Sequence, residues 1–219
     1  MGTRMSQHRS TRDVFDDWAQ DHHADGMEKH HRPRVEQAWR TLSPGSGDYL
    51  EIGVGNGYAI RHLAGTTFAA GQCVGLELSP HMADKARRNT TERSNVHIEC
   101  GDFLRWAPSG EQRFALIFSM EVFYYFPDIQ RGIDHAVRLL APGGTLMVLV
   151  NYFTEHAASH AWPDQLDTPM TLWSAEEYRE GFRRAGLVDI EQAFYLDPPD
   201  TAEPGDPGTL STRGQSPDV

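Results

Sequence analysis

The chain has 219 residues, 39% of them hydrophobic, and a formal charge of -11, which allows one sizeable buried core. An acidic excess of that size argues against a nucleic-acid partner, because phosphates are bound largely by lysine and arginine. No apolar run approaches the roughly 20 residues of a membrane helix, and MGTRMSQHRSTR lacks the apolar stretch of a signal peptide, so a soluble, cytoplasmic protein without membrane contact is expected.

Residues 1–12 are polar and expected to be flexible, and residues 13–44 follow with apolar side chains at helical spacings, read as a helical cap. Apolar runs and helical patterns then alternate: strands at 49–54, 73–78, 96–100, 114–120 and 145–152, with helices at 57–68, 80–91 and 127–140 between them. Such alternation predicts an α/β fold, a doubly wound and mostly parallel sheet with helices on both faces. Residues 45–152 make its core, and 153–173 make an irregular insertion of the kind that serves as a lid. Ser174 and Glu177 form a capping box for a further helix, Trp173 is expected to pack beneath it, and a strand is read at 188–196. One domain thus spans 13–196. The sequence DPPDTAEPGDPGTLSTRGQSPDV (197–219) is rich in Pro, Gly and charge and is expected to be a disordered tail, with room for one short strand near Thr209–Thr212; no last strand of the sheet is evident.

The two cysteines, Cys73 and Cys100, lie in different apolar runs without C-x-x-C spacing and are read as reduced thiols, and no metal site is expected. The stretch LEIGVGNGY places Gly53, Gly55 and Gly57 where the first strand turns into its helix. There, glycine permits positive φ and close approach of a ligand to the backbone. Glu77 ends the second strand twenty residues after Gly57, placed to accept hydrogen bonds from ribose hydroxyls. Asp102 follows the third strand with Phe103 beside it, a carboxylate and an apolar ring suited to the edge and face of an adenine.

Together with GLELSP, CGDF, FALIFSMEVFYYF and LLAPGGTLMV, these motifs resemble the class I S-adenosylmethionine-dependent methyltransferases, whose sheet is Rossmann-like, over residues 45–195 or so. The resemblance implies S-adenosyl-L-methionine as cofactor. It places Gly53, Gly55 and Gly57 on the methionine part, with Glu51 supporting the loop, Glu77 and Leu78 at the ribose and Asp102 and Phe103 at the adenine, and Ser119 and Met120 beside the methionine end. A nucleotide-dependent dehydrogenase is the rival for this architecture, but the loop reads G-x-G-x-G. With lysine only at 29 and 85, the Tyr-x-x-x-Lys pair of the short-chain type cannot be built.

Phe15, Trp18, Tyr124, Tyr125, Tyr152, His160 and Trp162 are the candidates for acceptor contact. Glu121, Tyr124, His22 and His156 are the candidates for proton transfer, needed only when the acceptor arrives protonated. In HHADGMEKHH, His22 and His30 fall within about 80° on a helix and can share a face, but two adjacent His pairs are not a metal-ligand spacing. The expectation is a methyltransferase acting on a small molecule by in-line displacement, as a monomer or homodimer. The alternative is a cofactor-binding regulatory or scaffold protein that has lost transfer.

Overall fold

The computed structural model describes residues 9–20, 23–42, 47–198 and 205–218. Two helices, α1 (Thr11–Gln20) and α2 (His23–Trp39), precede the sheet. Then follow β1 (Asp48–Ile52), α3 (Tyr58–Leu63), β2 (Cys73–Glu77), α4 (Pro80–Asn89), β3 (Val96–Cys100), β4 (Phe114–Met120), α5 (Ile129–Leu139) and β5 (Leu140–Val150). The chain closes with α6 (Trp162–Leu166), α7 (Ala175–Arg184), β6 (Val188–Tyr195) and β7 (Thr209–Gln215).

The seven strands lie in the order β3-β2-β1-β4-β5-β7-β6, parallel except for β7, which runs antiparallel to both β5 and β6. Between β1 and β4 the chain reverses its direction of travel across the sheet, opening the crevice where such folds bind ligands. Successive strand residues face opposite layers: Tyr49, Leu116 and Met147 pack with Val35, Ile60 and Ala83 of α2, α3 and α4, whereas Leu50, Ile117 and Val148 pack with Ile133 and Phe182 of α5 and α7. Helices therefore cover both faces, as the sequence predicts.

Helix starts follow their caps. Ser79 Oγ accepts the Met82 N–H at 3.0 Å with Pro80 at the first helical position, Asp128 accepts the Arg131 N–H, and Ser174 and Glu177 complete the predicted capping box. Trp173 meets Tyr178 edge-on at 5.4 Å beneath α7.

Three expectations are corrected. Residues 199–204 and 219 lie outside the described residues, and the described residues beyond 204 are not a loose tail: the short strand read near Thr209–Thr212 forms as β7, runs on to Gln215 and inserts between β5 and β6, burying Thr209, Leu210, Ser211 and Thr212. Its ladder partners on both sides satisfy a backbone that its small polar side chains would not otherwise draw into a core. The flexibility expected of residues 1–12 does not hold for 9–12, because α1 begins at Thr11 behind a Ser10 cap and the Arg9 N–H donates to the Asp167 carbonyl; residues 1–8 lie outside the described residues. The 153–173 insertion is not wholly irregular: it buries Phe153, makes a short 3-10 turn at Ala157–Ala161 and then forms α6. Among the described residues no helix is long and apolar enough to cross a membrane.

Candidate active site

A cavity of about 800 Å³ opens at the switch point, walled by the carboxyl ends of β1, β2 and β4 and roofed by α1, α2 and α6. That lies in the upper part of the range of about 300–1,000 Å³ usual for small-molecule sites.

The β1 turn forms the floor. Gly55 has φ +54 and borders the cavity, and a Cβ there would meet no atom within 4 Å, so the loop keeps an open side toward the space. Gly57 has another role: at φ +85 it starts α3, and a Cβ there would stand 3.2 Å from Ala86, so it sets the packing of α3 on α4 rather than the cavity wall. Asn56 ties the turn down, its Oδ1 accepting the Tyr58 N–H at 3.1 Å while its Nδ2 donates to Glu28 of α2.

Glu77 is buried at the tip of β2, where Oε2 accepts the Gly55 N–H at 2.8 Å and Oε1 the Ser79 N–H at 3.0 Å. Burial raises its carboxyl above the usual range and these amides oppose the rise. Each oxygen keeps a further lone pair for a ligand hydroxyl. Glu51 is buried behind the loop and accepts from Tyr49 Oη at 2.8 Å, and burial pushes its carboxyl up to about 8.

Across the cavity, Glu121 follows β4 with φ +62, an uncommon conformation for a non-glycine residue and one found at functional sites. Its Oε1 accepts the Asn151 N–H, and its Oε2 accepts from Tyr124 Oη at 3.1 Å. Burial pushes this carboxyl up to about 7. Phe15 and Trp18 descend from α1, held over the site because Asp16 beside them accepts from Ser79 Oγ at the start of α4. Tyr124 and Tyr125 rise from below, and Trp162 and Leu166 come from α6.

The structure thus brings Glu51, Gly53, Gly55, Glu77, Met120, Glu121, Tyr124 and Tyr125 to one cavity together with Phe15, Trp18 and Trp162. Others stand apart. Asp102 is exposed and caps its own turn through the Leu104 N–H, and Phe103 is buried against Phe126 and His135. Leu78 is half-buried outside the lining, and Ser119 is buried with its hydroxyl on the Ile52 carbonyl. Tyr152 lies behind Tyr124, with ring centroids 5.4 Å apart, while His160 is exposed and bonds the Thr154 carbonyl. His156 is buried away from the cavity, its Nδ1 on the Asn151 carbonyl. His22 lies outside the described residues.

Sequence reasoning missed Tyr58, Val122, Gln165 and Leu166, which also line the cavity. Nothing marked Tyr58 in advance except its place directly after the last glycine of the loop.

A family model described as a methyltransferase domain matches residues 50–148. A Haloferax volcanii methyltransferase solved in complex with the Trm112 methyltransferase activator superposes with a TM-score of 0.84 at 33% identity, covering 96% of this chain and 100% of that one. The chain belongs to the class I S-adenosylmethionine-dependent methyltransferases. Trans-aconitate 2-methyltransferase of Rhizobium meliloti is 26% identical over 74% of this chain and 56% of its own length. Tocopherol O-methyltransferase of Arabidopsis thaliana is 32% identical over 46% of this chain and 29% of its own length. The chain therefore spans less than two thirds of these curated relatives.

The cofactor of the family is S-adenosylmethionine, and the cavity fits it on two observations. Gly55 leaves the floor open, and the Tyr58 hydroxyl at the same wall is buried with no hydrogen-bond partner among the described residues, a polar group that a ligand would satisfy.

Proposed function

We infer that the chain is a methyltransferase that transfers the methyl group of S-adenosylmethionine to a small-molecule acceptor. The observation that carries this reading is one cavity in which the glycine turn and Glu77 face Glu121 and an aromatic wall. Gly53 and Gly55 would hold the methionine part, Glu77 the ribose hydroxyls, with Glu51 behind the loop and Met120 at the methionine end. Asp102 is left in this reading as a rim residue whose exposed carboxylate would reach the adenine amino group from outside the cavity lining.

When bound, the cofactor supplies an activated methyl group on a sulfonium. The protein's part is alignment and exclusion of water, and alignment of this kind contributes on the order of 7 to 11 kcal/mol. Phe15, Trp18 and Trp162 close the acceptor side against solvent, and Glu121, with a carboxyl near neutrality, takes the proton of an acceptor that arrives protonated. The charge of -11 supports a small acceptor over nucleic acid. The Haloferax volcanii relative, matched over its whole length, supports an activator protein of the Trm112 type as partner. Co-elution of the two proteins on size exclusion tests that part, and separate elution at micromolar concentration rejects it.

Calorimetric titration tests the core of the reading. S-adenosylmethionine should saturate one site, and Glu77→Ala should weaken it at least tenfold; unchanged affinity rejects the ribose assignment. Formation of S-adenosylhomocysteine with a metabolite extract separates an enzyme from a binding-only protein.

A further inference from the structure

Six rings form one continuous series on the acceptor side, five of them lining the cavity and Tyr152 standing behind Tyr124. Trp18 meets Phe15 edge-on at 5.2 Å, Phe15 meets Tyr125 edge-on at 5.4 Å, and Tyr125 lies 4.5 Å from Tyr124. Tyr124 lies 5.4 Å from Tyr152, which stacks on Trp162 at 6.3 Å. The series joins α1, the turn after β4, the end of β5 and the α6 insertion, four segments that no local pattern brings together. Its polar terminus is Glu121, bonded to the Tyr124 hydroxyl.

The charges around these rings have one sign. Among the described residues no lysine or arginine lines the cavity, and its ionisable groups are Glu51, Glu77, Glu121, His30 and His31. Arg32 and Arg34 of α2 are spent on other carboxylates, Arg32 on Glu28 and Glu36 and Arg34 on Asp197 and Asp206. Burial holds His31 down to about 4, so its ring is neutral at physiological pH. Among the described lining residues an anionic acceptor would meet no permanent cation. Glu77, with its oxygens on the Gly55 and Ser79 amides, is taken by the ribose hydroxyls in this reading, and Glu51, held near 8, is mostly uncharged at neutral pH. Glu121 is left as the carboxylate that faces the rings. Aromatic faces with a carboxylate at one end are a receptor for an organic cation.

We propose that the acceptor is an organic amine, admitted as its ammonium between the ring series and Glu121. This rests on the methyltransferase reading. The ammonium gives one proton to the Glu121 carboxylate. The freed nitrogen pair forms the N–CH3 bond while the S–CH3 bond breaks, its electron pair staying on sulfur, and the product leaves as the N-methylammonium. The loss of donor charge at sulfur is matched by the gain at nitrogen.

The experiment loads the full chain with S-adenosylhomocysteine and titrates it, by calorimetry and tryptophan fluorescence, with 2-phenylethylamine, 2-phenylethanol and 3-phenylpropionate. These probes share a ring and differ in charge. The amine should bind at least tenfold tighter than either of the others, and Glu121→Gln should remove that preference. In the presence of S-adenosylmethionine, mass spectrometry should find the amine one methyl heavier. An amine that binds no better than the alcohol, a preference for the carboxylate, or no binding of any probe to the loaded protein overturns the amine assignment alone. Failure of S-adenosylhomocysteine to load the protein overturns the cofactor reading, and this assignment with it.

Discussion

The Arg34 guanidinium grips the Asp197 carboxylate with two hydrogen bonds, Nε to Oδ1 at 2.8 Å and Nη2 to Oδ2 at 2.6 Å, and so ties α2 to the chain beyond β6. Nη2 also donates to Asp206, and Nη1 to Asn151 and Thr209, so one nearly buried side chain joins the cap, the end of β5 and the start of β7. Removing it takes the guanidinium from two carboxylates and, among the described residues, leaves Asp206 only the His156 ring at 3.9 Å as an ionic partner. Arg34→Ala should cost about 3–5 kcal/mol, read as a lowered midpoint in chemical denaturation. Arg34→Lys should recover only part of that loss, because an ammonium cannot span both oxygens of Asp197 while reaching Asn151. An alanine variant within about 0.5 kcal/mol of the wild type would mean that this network does not hold the cap.

Gly55 and Gly57 share positive φ yet should fail in different ways when changed to alanine. Each substitution carries the left-handed backbone cost of about 1–2 kcal/mol. At Gly57 the new methyl also presses on Ala86 at 3.2 Å and Thr90 at 3.3 Å, so Gly57→Ala should lose clearly more stability than Gly55→Ala. At Gly55 the methyl enters free space on the cavity floor, so Gly55→Ala should bind S-adenosylmethionine at least tenfold more weakly while remaining folded. Denaturation midpoints and calorimetric titration of the two proteins check this, and unchanged affinity in Gly55→Ala would remove the cofactor from the loop.

The strand, glycine turn and helix could be read from the chain because each is local: Ile52, Gly55, Gly57 and Tyr58 fix their own geometry through φ and neighbouring amides. Of strand β7 only a short stretch near Thr209–Thr212 could be read, and not its place between β5 and β6. TLSTRGQ carries one large apolar residue, Leu210, and reads as polar because its burial comes from strands on either side and not from its own pattern. Arg34 was hidden for the same reason, since its partners Asn151, Asp197, Asp206 and Thr209 lie 117 to 175 positions away. Spacing placed Asp102 and Phe103 after the third strand but does not encode direction: the Asp102 carboxylate caps Leu104 at the rim, and the Phe103 ring packs into the α5 layer.

Glu51 makes stability depend on pH in a definite sense. Its carboxyl stands near 8 in the folded chain because burial disfavours the charge, against an ordinary value near 4.5. Between those values the folded state holds a proton that the unfolded chain releases, so stability falls as pH rises from about 5 to about 8. The contribution is fully present below 4.5 and lost as pH passes the folded value. Glu51→Gln keeps an oxygen for the Tyr49 hydroxyl and carries no charge. Its melting temperature should match the wild type near pH 5 and exceed it near pH 8.5, by about 2–4 °C for each kcal/mol relieved. Parallel melting curves across that range would show that the carboxyl titrates alike in both states.

The same sign governs Glu121 in catalysis. Burial raises its carboxyl to about 7, and the hydrogen bonds from the Asn151 amide and the Tyr124 hydroxyl pull it the other way. As the base it must be ionised, so kcat/KM should climb with unit slope up to about pH 7 and then level off. Glu121→Gln should erase that limb and slow turnover by about a hundredfold or more. Tyr124→Phe removes a donor that favours the ionised form, so its limb should move to higher pH while a plateau remains. A limb that stays in place in Tyr124→Phe, or survives in Glu121→Gln, would assign the titrating group elsewhere.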